Sequence, residues 1–381
     1  MFPQPKRLIG ALGLLLFTAN LFAGGQLPLR MLVNEVEQAP EVANVRPAYR
    51  RIVENAEGLE RAIAAQERHT DALLQDAGAR GTAVSWDEAG DPVIRVYIDA
   101  SSSSAGIPTS LDGVPVEVIA TGRFYALNMD CSRREADCAL QPDTAVVAST
   151  SHEPGPAERH PRPVPIGVST GHYQVTAGTI GCRVKIGCHS YALSNAHVFA
   201  DENSGVPGDN ILQPGKYDGG LNPADKIGEL YDSVPIVMTS TALNKVDAAI
   251  ARVSWPDVGN ATPSDGYGTP KTDPVTPAVN LNVMKYGRTS GMSYGYIDAL
   301  NATVMVTYDA GDARFVGQIV IKPDSGANFS RPGDSGSLVV ASGGASERSP
   351  VGLLFASGTG LSVANPIAEV LSELGINIDG E

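Results

Sequence analysis

Arg331-Pro-Gly-Asp-Ser-Gly-Ser337 runs directly into the apolar stretch Leu338-Val-Val-Ala341. A Gly-Asp-Ser-Gly corner feeding a strand holds a serine at a sharp turn, with backbone N–H groups beside its hydroxyl. That is the local geometry an acyl-transfer nucleophile needs. Gly, Asp and Ser also build ordinary turns, so the motif by itself does not decide the matter. Its partners upstream do.

A serine hydroxyl is a poor nucleophile at neutral pH. It needs a base within hydrogen-bond reach and a group that orients the base. Of the six histidines, His69, His152, His160, His172 and His189 lie in no supporting pattern. His197 ends Tyr191-Ala-Leu-Ser-Asn-Ala-His197, where an apolar strand-like run passes through small residues into the imidazole. Asp247 lies in Asn244-Lys-Val-Asp-Ala-Ala-Ile250, set against an apolar strand. A partly buried carboxylate is costly unless paired, and an imidazole N–H is a suitable partner. Each group alone has a plain structural explanation, but the three together form a nucleophile, a base and an orienter.

The order His197, Asp247, Ser335, with motifs Ser-Asn-Ala-His, Val-Asp-Ala-Ala-Ile and Gly-Asp-Ser-Gly-Ser, resembles the chymotrypsin-like (trypsin-like) serine proteases of bacterial type. The resemblance spans about residues 166–381. It includes Thr176-Ala-Gly-Thr-Ile-Gly181, Tyr286-Gly-Arg-Thr-Ser-Gly291 and Val351-Gly-Leu-Leu-Phe355. It implies a mainly β, two-barrel domain with a C-terminal helix. It also implies His197 as base and then acid, Asp247 as orienter, Ser335 as nucleophile, and the N–H groups of Gly333 and Ser335 as the oxyanion hole. Asp334 is expected to anchor its loop. Three departures matter. Val198 stands where a cysteine is common, and Ser337 replaces a common glycine. No Ile-Val-Gly-Gly-like segment offers a new N-terminus to Asp334. Before the serine, Asn328-Phe-Ser-Arg-Pro332 lacks the pocket aspartate of trypsin-type members, so an apolar or small side chain is expected at the cleaved bond.

Composition agrees with this reading. At 381 residues, with 41 Gly, 27 Pro and 18% charged residues, the chain reads as loop-rich and β-rich, not as a coiled coil or a disordered chain. The net charge is −14 and basic residues form no contiguous stripe, which argues against nucleic acid as a partner. A protein or peptide substrate is expected, with no cofactor. Met1-Phe-Pro-Gln-Pro-Lys-Arg7 followed by an apolar run to Ala23 reads as a secretory signal peptide, with an uncleaved anchor as the alternative. A secreted or periplasmic protein without membrane attachment is therefore expected.

The four cysteines fit export, and Cys131 with Cys138 and Cys182 with Cys188 are expected to form two short disulfides. Neither spacing suits zinc, and no metal is expected.

Shifts in composition divide the remaining chain. Residues 24–40 form a tail. Residues 41–140 read as a small α+β domain: a helix with Ile52, Ala56, Leu59 and Ile63 on one face, then alternating strands such as Val93-Ile-Arg-Val-Tyr-Ile98. Residues 141–165 hold six prolines and read as a linker, and 166–381 form the protease domain. In that domain Ile236–Met238 reads as a strand, and Asn365 and Pro366 read as the cap and first turn of a helix stopped by Gly375. The small domain is either a prodomain released by a cut within 141–165 or a permanent accessory domain. Asn260, Asn301 and Asn328 begin glycosylation patterns that matter only in a eukaryotic secretory route. Two rivals stand beside the endopeptidase. One is a catalytically silent binding or scaffold protein on the same fold. The other is an α/β-hydrolase esterase, which the residue order and Ser337 oppose.

Overall fold

A computed structural model describes residues 56–75, 78–99, 106–127, 153–324 and 328–381. The expected signal peptide, the tail, the first part of the linker and the Cys131–Cys138 pair lie outside these residues. The described chain is mainly β, with two sheets of eleven and eight strands.

The C-terminal half builds the larger sheet. Its strands are β13 (Asn282–Gly287), β14 (Gly291–Thr307), β15 (Asp312–Pro323), β16 (Leu338–Ala341), β17 (Pro350–Gly358) and β18 (Leu361–Pro366). They pair antiparallel in a closed ring, because β13 bonds both β16 and β14. Closure removes free edges, and the inward-facing side chains fill the interior. The smaller sheet comes from the middle of the chain. It holds β6 (Ser169–His172), β7 (Gly178–Thr179), β8 (Cys182–Ile186), β9 (His189–Ser194), β10 (Asn210–Leu212), β11 (Lys226–Ser233) and β12 (Ala249–Val253). A short strand near the C-terminus, β19 (Asn377–Ile378), completes it by pairing with β8.

The N-terminal elements do not stand apart. Helix α1 (Ala56–Gln75) packs on β1 (Ala79–Trp86), β2 (Pro92–Ile98), β3 (Ser110–Leu111) and β4 (Val114–Ala120). Ala65, Leu73, Ile94, Val96 and Ile98 form their core. The buried face of α1 runs through Ala62, Ala65, Gln66, Thr70 and Leu73, one position off the expected stripe; Leu59 and Ile63 flank it half-buried. The polar members of that face are matched by partners. Gln66 donates to Thr82 at 2.9 Å, and the Asn301 amide donates back to Gln66 at 2.8 Å. β14 is 17 residues long and outruns the ring, and β1 adds to its far end, with Thr82 opposite Thr303. The chain then enters β5 (Phe124–Ala126), which lies parallel to β14 and antiparallel to β17.

Several expectations are corrected here. Ile236–Met238 forms no strand, because side-chain amides take the place of a neighbouring chain. Asn203 both accepts from and donates to the Ile236 backbone at 2.9 and 2.8 Å, and Asn244 does the same for Val237 at 2.9 Å each way. Asn365 does not cap helix α3 (Ile367–Leu374); Pro366 holds that position and makes no side-chain cap bond. Gly375 closes the helix as expected, with φ +62°. Cys182 and Cys188 are unbridged: Cys182 is buried in β8 and Cys188 is exposed at the β8–β9 turn. An extended strand advances about 3.3 Å per residue, so the five-residue strand β8 carries Cys182 well out of bonding range of Cys188 in the turn beyond it.

Candidate active site

His197 follows β9 on a single helical turn, α2 (Ala196–Phe199), after Asn195 turns the chain in extended geometry. Asp247 directly precedes β12, whose pairing with β9 brings the two segments side by side, Ala249 opposite Ser194. Ser335 comes from the turn that leads into β16, in the other sheet. Its carbonyl accepts from the Thr179 N–H at 2.7 Å, and the Gly336 N–H donates to Leu354 at 2.8 Å. The turn is thus clamped between the two halves.

These placements bring the three side chains into one line. The His197 Nδ1–H donates to Asp247 Oδ2 at 2.5 Å, and the Ser335 hydroxyl donates to His197 Nε2 at 2.7 Å. All three residues are buried, Ser335 with 0% exposure. A buried carboxylate demands compensation, and Asp247 has it. Its Oδ1 accepts from the backbone N–H of Ala196 at 2.7 Å and of His197 at 3.2 Å. The Tyr308 hydroxyl donates to Oδ2 at 2.9 Å. Burial, with the nearby Asp247 charge, pushes the Tyr308 phenol well above its usual pKa and keeps it a donor. Its ring meets His197 edge-on, with centroids 5.8 Å apart. The Asp247 backbone is held too: Asn195 donates to its carbonyl at 2.7 Å, and its N–H donates to Asn365 Oδ1 at 3.1 Å. Asn365 is in turn fixed by its own donation to Gln318 at 2.7 Å.

Two glycines shape the serine turn. Gly333 has φ +95°, and its N–H donates to the Leu127 carbonyl at 2.8 Å. Gly336 has φ +90°, and a Cβ there would sit 2.1 Å from Ser194 Oγ. Ser337 uses its hydroxyl to close the turn, donating to the Asp334 carbonyl at 2.6 Å.

Asp334 points away from the triad into a fully buried ion pair with Lys285 at 3.2 Å. Burial alone would raise the Asp334 carboxyl. Lys285, the Ser290 hydroxyl and the N–H groups of Thr289 and Arg331 outweigh that and hold it below the usual carboxylate range. An internal lysine therefore supplies the cation for this aspartate.

The other described histidines, which sit in no supporting pattern, lie elsewhere. His69 faces Asp112, His172 faces Asp209, His160 meets the Gly155 carbonyl, and His189 is exposed. Asp225 is bound by Arg159 at 2.5 Å. Asp232 lies on β11, away from the imidazole, and bonds the Ser233 N–H. Among the described residues no cluster of His, Cys, Asp and Glu could hold a metal ion. Sequence reasoning missed Tyr308, Lys285, Asn365 and Gln318. None of them sits in a motif; each reaches the site through strand pairing.

No protein-family model matches the sequence, and a search of curated proteins finds no match. Solved structures do show likeness. Thermobifida fusca protease A is 18% identical, with 57% of this chain and 99% of that one covered at a TM-score of 0.41. Cellulomonas bogoriensis chymotrypsin is 20% identical, with 57% and 99% covered at 0.38. Alpha-lytic protease homolog N4 is 17% identical, with 56% and 98% covered at 0.40. The side-chain geometry, and not these overlaps, carries the functional reading.

Proposed function

We propose that this chain is a secreted serine endopeptidase acting through an acyl-enzyme intermediate. The observation that carries the reading is the unbroken hydrogen-bond line from Asp247 through His197 to Ser335, at 2.5 and 2.7 Å. In the reaction, Ser335 Oγ attacks a peptide carbonyl as its proton passes to His197 Nε2. Asp247 holds the ring in the tautomer that leaves Nε2 free and stabilises the imidazolium that forms. The N–H groups of Gly333 and Ser335 receive the developing oxyanion. His197 then hands its proton to the leaving amine, and water repeats the sequence on the ester. No step requires a metal or cofactor from this set of groups.

Secretion is part of the same proposal. It rests on the basic and apolar N-terminal run. A silent scaffold on the same fold is the rival reading. An intact donor–acceptor line with a compensated carboxylate is what such a scaffold has no need to keep.

The test is direct. Ser335→Ala is expected to remove both casein hydrolysis and fluorophosphonate labelling while leaving the far-ultraviolet circular dichroism spectrum unchanged. His197→Ala should lose labelling as well, and Asp247→Asn should fall by about 10⁴-fold in kcat. Near-normal hydrolysis by Ser335→Ala would end the proposal.

A further inference from the structure

Ser335 has no exposed surface, yet a nucleophile must meet its substrate. The chain's own segment 124–127 lies against the serine turn. β5 lies antiparallel to β17, with Ala126 opposite Ala356 and Tyr125 opposite Ser357. One residue further on, the Leu127 N–H donates to the Phe355 carbonyl at 3.0 Å, and the Leu127 carbonyl accepts from the Gly333 N–H at 2.8 Å. The second of these bonds is the one a scissile carbonyl makes with an oxyanion donor. The first fixes that carbonyl's residue from its amide side. Strand addition of this kind supplies affinity through the backbone and specificity through side-chain pockets.

We infer that Phe124-Tyr-Ala-Leu127 occupies the cleft as a built-in substrate, that the bond on the C-terminal side of Leu127 is the one this protein cuts in itself, and that Leu127 marks a specificity for a leucine-sized apolar side chain. The inference rests on the function proposed above. Three observations support the apolar preference. The Leu127 side chain is fully buried and belongs to the same apolar cluster as Phe329 and Leu354. Phe329 and Ser330, from the loop before the serine, line a cavity of about 110 Å³ together with the turn joining β17 to β18. Two of its lining hydroxyls, those of Ser330 and Ser362, bond each other at 2.7 Å and present no charge. Arg331 is the one charged residue on that cavity's wall, so the test must also ask about an acidic side chain.

The bond change balances within the chain. Ser335 Oγ bonds the Leu127 carbonyl carbon, the C–N bond to the next residue breaks, and the amine leaves with the proton from His197. Water then bonds the Leu127 carbonyl carbon as its proton passes to the imidazole, the C–Oγ bond breaks, and the imidazole returns that proton to Ser335 Oγ, leaving Leu127 as a carboxylic acid that ionises at neutral pH. The severed N-terminal part keeps its β1–β14 pairing, whereas the new chain end at Leu127 is no longer tethered on its C-terminal side and can leave the cleft to admit substrate. Self-cutting is thus separate from release of the N-terminal part.

The experiment uses the full chain. Wild-type protein and Ser335→Ala are incubated at neutral pH and read by intact mass and N-terminal sequencing. The peptides acetyl-Phe-Tyr-Ala-Xaa-Asn-Met, with Leu, Lys or Glu at Xaa, are then offered to the wild type. Two results are expected: a Ser335-dependent fragment beginning Asn128-Met-Asp, and a kcat/KM for the Leu peptide at least about tenfold above the others. Leu127→Glu should leave the chain whole; if that variant does not fold, the peptide series still decides the preference. A Ser335-dependent cut at another bond, an uncut chain whose Ser335 labels with fluorophosphonate, or a preference for the Lys or Glu peptide overturns this inference and leaves the nucleophile standing. Absence of both labelling and cleavage overturns the two together.

Discussion

Tyr308 contributes through one atom. Its hydroxyl donates to the same Asp247 oxygen, Oδ2, that the His197 imidazole uses. A hydrogen bond to a charged group is worth about 1.5–3 kcal/mol. Tyr308→Phe is therefore expected to lower kcat by roughly tenfold to a hundredfold with KM little changed, read by steady-state kinetics on the Leu peptide. A change in KM alone would assign the tyrosine to packing. Gly336 makes a sharper prediction. A methyl at that position meets Ser194 Oγ at 2.1 Å and the Thr179 carbonyl at 2.4 Å, on a backbone with φ +90°. Gly336→Ala should cost several kcal/mol, on the order of combined backbone strain and overpacking, and should appear as loss of soluble folded protein. The sequence made His197, Asp247 and Ser335 legible because each is announced by its immediate neighbours. It could not show Tyr308, which lies 61 residues from Asp247 just past the end of an unremarkable strand.

At the scale of elements, β13 and the serine turn are joined by Lys285 and Asp334, both fully buried. Removing one member of such a pair strands the other and costs about 3–5 kcal/mol. Lys285→Met should lower the denaturation midpoint accordingly, and Lys285→Met with Asp334→Asn should recover part of the loss. The pH dependence has a definite sign. Asp334 holds its proton more weakly in the folded chain than in the unfolded one, so its contribution is complete above the ordinary carboxylate range. It is lost as pH falls through that range toward the folded value. Urea midpoints measured from neutral to acid pH should therefore fall less steeply in the double variant than in the wild type. The β8–β9 hairpin gives another check: a thiol reagent should modify exposed Cys188 in the native protein and spare buried Cys182, whose thiol burial pushes up. Alternation of apolar residues revealed β2, and a short apolar run revealed β16. Local pattern misled at Cys182, where a cysteine spacing resembled a bridge although the strand period carries the sulfurs apart. It misled again at Asn365, a good helix-capping residue that instead ends β18 and braces Asp247.

On the scale of the whole molecule, composition and turn chemistry pointed to a β-rich sandwich or barrel, since many short apolar runs broken by Gly and Pro have few other solutions, and the division into two halves was implied by the resemblance. The attachment of β1 to β14 was not legible, because nothing local tells a strand which sheet it will extend. The path of the final residues was equally hidden. After α3 leaves the larger sheet, β19 crosses to pair with β8 in the smaller one. Asp379 then accepts from Arg183 at 2.6 Å and pairs with Lys185 at 2.5 Å. Asp379→Ala should destabilise the protein by about 1–3 kcal/mol, measured by urea unfolding, with the Leu-peptide KM unchanged. This crossing also bears on how the protein is made. The smaller sheet is translated long before its last edge strand, and Arg183 waits 196 residues for its carboxylate. Such long-range closure is slow, and it forbids finishing the halves one after the other on the ribosome. The site between the two sheets would thus stay incomplete until β19 has been made and has paired with β8.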